Sequence, residues 1–335
     1  MKKILLSMLL ALTMICNLNI VFASTPEMVT DFSFATDFYS EGDDLSGASK
    51  QWKYMYNDNK TENDDGSYSN YKDYVEITDW VAEGSSGYWN IANGRVCEGG
   101  VIYSVSHCRV GVVWIAPMSG TISISVNSGE FGRVSSFASE LDTDADIVTR
   151  IAKSDQSGGS AVELERVLLP AEPAYYYKTN TSLPKNLKID VVAGDKIYFE
   201  CHGTGSVRRE IVWNPIITYE VATQCYADDG TLITEETELE SGMNINYVLY
   251  KNDSYGATAP MCLALYDSKN RLSAVSLKDV AEQENKYVLN VIVPSLLNTS
   301  EEVEEDYSGW SVGLTVMSDT TVFTPIYVSN KLVLN

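Results

Sequence analysis

Residues with the reactivity that catalysis or metal binding needs are few in this sequence. It has two histidines, and each adjoins a cysteine, in His107-Cys108 and Cys201-His202. If these two segments pair as neighbouring strands, the four side chains could form a metal or thiol site. Their spacing matches no zinc-binding pattern, so the alternative is a buried histidine beside a buried cysteine. No G-x-S-x-G nucleophile turn and no glycine-rich phosphate loop occurs.

An acidic segment resembles the first half of a calcium-binding loop. Asp142, Asp144 and Asp146 alternate along it, as the first ligands of an EF-hand do. Ile147 replaces the glycine that such a loop needs, and Lys153 stands where the bidentate acid belongs, so the segment is not an EF-hand. The three carboxylates predict either a structural calcium ion or a solvated acidic loop. The sequence indicates no other cofactor.

Aromatic side chains are the candidate ligand-binding residues. The chain has 21 tyrosines and 6 tryptophans, and the flat faces of such rings pack well against the C–H groups of a sugar ring. Six of them stand in segments of loop-like composition and are predicted to bind a ligand: Trp80, Tyr88, Trp89, Tyr175, Tyr176 and Tyr177. The alternative for each is packing over the edge of a sheet.

The net charge excludes several classes of partner. It is -22, and removal of residues 1–23, which hold two lysines and no acid, makes it -24. Such a field repels phosphate backbones and anionic lipids, so we expect no nucleic-acid or membrane-surface binding. It suits neutral or basic partners. It also disfavours a lyase for anionic sugars, which would need Tyr, His, Arg or Lys around its substrate. A carboxylate pair for glycoside hydrolysis cannot be located among 46 acids, because their separation depends on the fold.

The elements that must position these residues are β-strands. Short runs alternate apolar and polar residues between Gly, Pro, Asn and Asp, which is typical of antiparallel sandwiches. The run VVWIAPMSGTISIS at 112–125 predicts two strands joined by a turn that begins at Pro117, with Trp114 in the core. Only 134–153 and 162–169 have patterns that allow a short helix.

The chain divides into a leader and two domains. Residues 1–23 have a basic start, an apolar stretch and an alanine before Ser24, the pattern of a secretory signal peptide. We therefore expect a secreted or extracellular protein, with no later run apolar enough to span a bilayer. The strand pattern restarts after residue 222, which predicts domains at 24–222 and 223–335.

The cysteines do not form a disulfide framework. Removal of the leader leaves an odd and sparse set: Cys97, Cys108, Cys201, Cys225 and Cys262. One bridge between Cys97 and Cys108 is an alternative to five thiols, and buried cysteines often serve as small apolar side chains.

Several motifs of the first domain resemble a module of large secreted polysaccharide-degrading and cell-surface proteins of Gram-positive bacteria. They are an aromatic-rich opening at 52–56, V-x-W-x-A-P-x-S-G-T at 112–121, V-x-x-G-D-x-I-Y-F at 191–199 and a loosely fitting W-x-P-x-I-x-Y at 213–219. The second domain resembles the small sandwich that often ends such proteins, through CLALYD at 262–267 and the pair of strands in 310–325.

The resemblance implies an all-β protein, with a β-jelly-roll sandwich followed by a smaller immunoglobulin-like or fibronectin-like sandwich. Such modules are carbohydrate-binding or otherwise accessory, and the motifs are mainly structural. No adjoining catalytic domain is recognisable, so we expect a secreted, non-catalytic protein that binds a polysaccharide or cell-wall glycan. The alternatives are a structural or adhesive surface protein that binds other proteins and a polysaccharide-degrading enzyme.

Overall fold

The computed structural model describes most of the chain, and the described part consists mainly of β-strands. The described residues are 28–43, 45, 47–57, 74–83, 86–92, 94–104, 108–134, 147–158, 161–170, 187–203, 209–253, 255–295, 306–317, 325–329 and 331–334. The helical segments among them are α1 (Phe34–Asp37) and a 3₁₀ helix at Gly47–Gln51, and neither has the length or apolar character needed to cross a membrane.

Twenty-two strands lie within the described ranges. In chain order they are β1 (Asp31–Ser33), β2 (Trp52–Asn57), β3 (Val75–Glu76), β4 (Asp79–Glu83), β5 (Ser86–Ile91), β6 (Gly94–Cys97), β7 (Val101–Ser104), β8 (Arg109–Ile115), β9 (Ser119–Arg133), β10 (Ile147–Ser154), β11 (Val162–Leu169), β12 (Leu187–Val191), β13 (Lys196–Gly203), β14 (Arg209–Tyr226), β15 (Leu232–Ile233), β16 (Asn244–Lys251), β17 (Thr258–Tyr266), β18 (Leu272–Ala281), β19 (Lys286–Ile292), β20 (Ser311–Met317), β21 (Pro325–Val328) and β22 (Leu332–Val333).

The strands form three sheets, and the paired strands within each sheet are antiparallel. The long sheet has the order β12-β9-β14-β7-β6-β5-β4, with β1, β15 and β16 also pairing with β14, and β19 pairing with β16. The six-stranded sheet has the order β11-β10-β13-β8-β2-β3. The five-stranded sheet has the order β18-β17-β20-β21, with β22 on β20. This arrangement confirms the predicted all-β sandwich class.

The first hydrophobic core lies between the six-stranded sheet and the part of the long sheet that runs in the order β12-β9-β14-β7-β6-β5-β4. Trp52, Trp114 and Trp213 are fully buried in it. The Trp114 ring packs edge-on to Phe32 at 5.3 Å and lies 6.0 Å from Tyr219, between centroids. The predicted core position of Trp114 is therefore confirmed. The turn at Pro117 joins β8 to β9, also as predicted.

A second core lies between β16 and β19 of the long sheet and the inner face of the five-stranded sheet. Ile245, Leu263 and Leu314 are among its buried members. Strand β14 contributes to both cores, because Trp213 belongs to the first and Cys225 to the second. The predicted domain boundary at residue 222 thus lies inside one strand, and the division into two domains stays a prediction.

The two segments that allowed a helix are strands where they are described. β10 and β11 pair with each other along the edge of the six-stranded sheet. The register shifts at Ile151 and Ala152, whose partners are Glu165 and Glu163, so Leu164 is the extra residue of a bulge. This bulge places the inward residues Leu164 and Val167 three positions apart, a spacing that imitates a helix in the sequence.

Candidate functional site

The predicted ligand-binding tryptophans lie on the inner side of the hairpin β4–β5. Trp80 is opposite Trp89, and their ring centroids are 5.3 Å apart. Trp89 is only 8% exposed, and its indole N–H donates to the carbonyl oxygen of Tyr39 at 2.9 Å. Trp80 covers Gly87 and stays partly exposed. Trp89 therefore serves the core, and a ligand role for either ring stays a prediction.

Tyr88 lies on the opposite, outer side of the same hairpin because side chains alternate along a strand. The Arg95 guanidinium lies 4.2 Å from the centre of the Tyr88 ring. On the same side, the Asn90 amide donates to a carboxylate oxygen of Asp79 at 3.1 Å. Among the predicted aromatic residues that the structure describes, Tyr88 is thus the one beside surface hydrogen-bonding groups.

The remaining predicted site residues fall outside the described residues: Tyr175, Tyr176, Tyr177, Asp142, Asp144 and Asp146. Their ligand-binding and calcium-binding roles stay predictions. Within the described ranges, no group of three or more His, Cys, Asp or Glu side chains has the geometry of a metal site.

The structure describes Cys108, Cys201 and His202 of the two Cys-His segments, whereas His107 lies outside the described residues. β8 pairs with β13, with Cys201 opposite Val110 and His202 opposite Arg109. Alternation then places Cys201 in the first core and His202 on the outer face of the sheet. Cys108 and Cys225 are also buried, and burial raises the pKa of the Cys201 and Cys225 thiols. Cys201 and His202 therefore do not point into one common site, and a site that includes His107 stays a prediction.

The outer face of the six-stranded sheet is unusual because it is both polar and buried. β8 is buried at six successive positions, Arg109 to Trp114, although only alternate residues face the core. Arg109 and Glu200 are 1% exposed, and Arg150 and His202 are 2% exposed. Charged residues are almost never fully buried unless they are paired. Their collection on one face marks this surface as the candidate site.

The register of the strands fixes how these side chains are arranged. Three rows cross the outer face: Lys53-Val113-Tyr198-Ala152-Glu163, Met55-Gly111-Glu200-Arg150-Arg166 and Asn57-Arg109-His202-Val148-Leu168. Neighbours in a row are separated by the strand spacing of about 4.8 Å, and successive rows by about 6.7 Å. We call the following set the polar face: Asn57, Tyr74, Arg109, Arg150, Tyr198, Glu200 and His202.

Arg150 connects two carboxylates on the polar face. Its Nη1 lies 3.3 Å from Oε1 of Glu200, and its Nε lies 3.3 Å from Oε2 of Glu163. Glu163 also binds Arg166 at 2.8 Å, so the ion pairs continue to the sheet edge. Nη2 of Arg150 has no hydrogen-bond partner within the described part of the chain. Arg150 thus retains a buried donor for a further acceptor.

Two tyrosines and a glycine shape the middle of the polar face. The Tyr74 hydroxyl donates to Glu200, and its ring lies 5.4 Å from that of Tyr198. Burial, and then the charge of Glu200, raises the pKa of Tyr198, which therefore stays a phenol. A Cβ at Gly111 would stand 2.3 Å from the carbonyl oxygen of Phe199. Glycine thus permits close strand pairing and leaves no side chain beside Glu200.

The polar face offers donors, acceptors and aromatic rings within a few strand spacings. Guanidinium groups bind carboxylate and hydroxyl oxygens, and Glu200 accepts hydrogen bonds. Sequence reasoning missed Arg109, Arg150 and Glu200 as a group. The available signal was a charged residue inside an apolar strand, as in IVTRIAKS and KIYFECHG.

The fold and this face define an all-β sandwich protein with a buried polar sheet surface. No protein-family model and no curated protein matches the chain. Among solved structures, β-glucuronidase 2 of Bacteroides uniformis is 10% identical, with a TM-score of 0.24, over 84% of this chain and 31% of that chain.

Two further solved structures are similar to the chain at the same level. A glycosyl hydrolase family 2 member of Bacteroides cellulosilyticus is 9% identical, with a TM-score of 0.25, over 84% of this chain and 36% of that one. The CBM22-1-CBM22-2 tandem domain of Paenibacillus barcinonensis Xyn10C is 12% identical, with a TM-score of 0.23, over 76% of this chain and 92% of that one. The chain thus spans about a third of the length of the two hydrolases, and these scores carry no argument about function.

Proposed function

We propose that this chain is a secreted, non-catalytic protein that binds carbohydrate through the polar face. The observation that carries the proposal is the burial of Arg109, Arg150, Glu200 and His202 on the side of the sheet that does not face the core. Nη2 of Arg150 has no hydrogen-bond partner within the described part of the chain, which leaves a buried donor for an oxygen atom of a ligand. A sugar presents hydroxyl groups at its edge and C–H groups on its faces, which suits Arg, Glu and tyrosine rings together.

The test is retention of the full chain on a panel of insoluble and arrayed polysaccharides, with and without calcium. Asn57 lies at the end of the row that holds Arg109 and His202, and it is buried. We expect Asn57→Ala to weaken retention about tenfold, since a buried hydrogen-bonding group is worth about 1–3 kcal/mol. Asn246→Ala removes an amide that is 2% exposed from β16, away from the polar face, and is the matched control.

Two outcomes would redirect the proposal. Loss of retention in Tyr88→Ala with full retention in Asn57→Ala would assign binding to the outer side of β5, where Arg95 covers the Tyr88 ring. Retention on no polysaccharide would refute carbohydrate binding altogether. Circular dichroism of each variant separates loss of binding from loss of folding.

The second candidate is a lyase that cleaves uronate-containing chains. The net charge of -22 disfavours an anionic substrate, whereas Arg109 and Arg150 of the polar face supply local positive charge. In β-elimination on a uronate-containing chain, a base removes the C5 proton, a C4=C5 double bond forms, and the C4–O bond to the leaving sugar breaks as an acid donates a proton to the departing oxygen. A cation beside the sugar carboxylate stabilises the negative charge that develops. Tyr74, His202, Arg109 and Arg150 are residues of those types. Release of unsaturated products by the full chain, followed by ultraviolet absorbance, would establish this activity. Release of no soluble fragments from any bound polysaccharide would support the non-catalytic proposal.

A further inference from the structure

An open cavity of about 460 Å³ lies where β14 passes from the first core to the second. One wall is made of the turns Pro117–Ser119 and Val192–Gly194, and the other of β15, β22 and residues 234–236. Hydrogen bonds fix the first wall. Ala116 N–H donates to the Asp195 carbonyl at 2.8 Å, and Gly194 N–H donates to the Ala116 carbonyl at 2.8 Å. The volume is within the range of small-ligand sites.

The cavity is apolar at its floor and at its rim. Met118, Ile233, Cys225 and Tyr247 line it and are buried. Around the opening stand three apolar side chains with large exposed fractions: Val192 at 44%, Leu232 at 42% and Val333 at 52%. Exposed apolar residues are normal when scattered, but a group that surrounds one opening indicates a binding surface.

The charge at the opening is negative. Glu235 and Glu236 line it and are exposed. Lys331 is the single basic residue among the described lining residues, and its ammonium group is held elsewhere. It donates to Oδ1 of Asn270 at 2.6 Å and lies 3.6 Å from the centre of the Tyr266 ring. Only the aliphatic part of Lys331 therefore remains for the cavity wall.

The surrounding sequence reinforces this charge. The segment 228–240 contains six acids and no Lys or Arg. A cleft with one sign of charge attracts ligands of the opposite sign and raises their association rate.

A second cavity of about 200 Å³ extends the first along the molecule. The two share Pro117, Met118, Gln224 and Leu232 as lining residues, and the second continues to Phe32. We call the two cavities together the junction groove. Its extent favours an elongated occupant with more than one apolar group over a single compact molecule.

We propose that the junction groove binds an extended peptide segment of another protein, in which apolar side chains alternate with Lys or Arg. Successive side chains of an extended peptide point to opposite sides. The apolar side chains then enter the two cavities, and the basic side chains lie beside Glu235 and Glu236. This site is separate from the polar face, and the proposal is independent of carbohydrate binding.

The test measures fluorescence anisotropy of labelled synthetic peptides with the full chain. The probe is acetyl-Lys-Leu-Lys-Val-Lys-Leu-Lys-amide. The controls replace every Lys by Glu, or every apolar residue by Ser. We expect the probe to bind at least about tenfold more tightly than either control. One control removes the basic side chains that would lie beside the glutamates, and the other removes the apolar side chains that would enter the cavities. Equal affinity for the Lys-Ser control, or no binding of the probe at about 1 mM, would overturn the proposal.

Two pairs of variants locate the site. Glu235→Lys and Asp279→Lys reverse one exposed acid each, but only Glu235 lines the groove. Leu232→Ser and Leu272→Ser each shorten one exposed leucine, and only Leu232 lines the groove. We expect the groove variants to weaken binding about tenfold and the controls to change it less than about twofold. Equal effects within either pair would contradict binding at the groove.

Discussion

The outer faces of the six-stranded and the five-stranded sheet are opposites. The first carries Arg109, Arg150 and Glu200 in a buried setting, whereas the second exposes Val275 by 54% and Leu277 by 48%. Buried polar residues and exposed large apolar residues are both informative departures from the usual distribution. The difference teaches that the burial of a sheet face is set by what covers it and cannot be inferred from the polarity of its side chains.

The largest loss of stability, on both sheets, is expected at alkaline pH. Burial raises the pKa of Tyr226, Tyr255 and Tyr327 to about 12, and it also raises those of Tyr54 and Tyr219 in the first core. The unfolded value is about 10, so these phenols stabilise the fold fully below about pH 10 and lose that contribution as the pH rises through 12. Urea midpoints between about pH 9 and pH 12, with phenolate absorbance, check this. Ionisation of all 21 tyrosines at about pH 10 in a folded chain would contradict it.

On the polar face, replacement of the buried Glu200 should lower the free energy of unfolding more than replacement of any other residue of that face. Glu200→Ala removes the carboxylate that binds Arg150 and accepts from Tyr74. We expect a loss of about 3 kcal/mol in the free energy of unfolding, because a buried guanidinium loses a partner. Asp279→Ala on the exposed five-stranded sheet should change it by less than about 0.5 kcal/mol. Urea unfolding measures both, and similar values would show that the polar face is hydrated.

Two strand glycines sharpen the contrast between the sheets. A Cβ at Gly111 meets the backbone of β13, whereas a Cβ at Gly313 of β20 meets only Cγ of Lys331 at 3.3 Å. We expect Gly111→Ala to cost about 1–3 kcal/mol through overpacking. Gly313→Ala should be close to neutral, because the lysine side chain can move. Thermal unfolding of the two variants gives the comparison, and a larger loss for Gly313→Ala would reverse it.

Replacement of either of two valines by threonine should change the free energy of unfolding the least. Val113 on the six-stranded sheet is 1% exposed, and Val275 is 54% exposed. Val113→Thr buries a hydroxyl and should cost about 1–2 kcal/mol. Val275→Thr should stay within about 0.5 kcal/mol of the native chain. Equal losses, measured by urea unfolding, would mean that Val275 is covered in solution, for example by a partner.

The sequence predicts the fold class and the core better than it predicts the sites. Period-two alternation places Trp52 and Trp114 in the core, because one face of each strand must be apolar. It fails at β11, where the bulge at Leu164 breaks the alternation. It also fails for Trp89, because Gly and Asn in SGYWNI indicate a loop where the chain forms β5.

The polar face and the junction groove escape sequence reasoning for a common reason. Arg109, Arg150 and Glu200 lie on three strands that are far apart in the chain, and only the pairing register brings them together. The groove likewise combines the turn at Pro117 with Leu232 and Val333. Charge is the property that the sequence does carry, since the net charge of -22 suits neutral or basic partners.

The length of β14 has a mechanical consequence. Its 18 residues extend for about 60 Å and pair with β9 and β7 beside the first core and with β16 beside the second. Tension applied between the two halves of the molecule would load these ladders in shear, so that many hydrogen bonds resist together. Separation of the two halves under force should therefore require rupture of a sheet. Two domains joined by a flexible linker would instead move apart as the linker straightened.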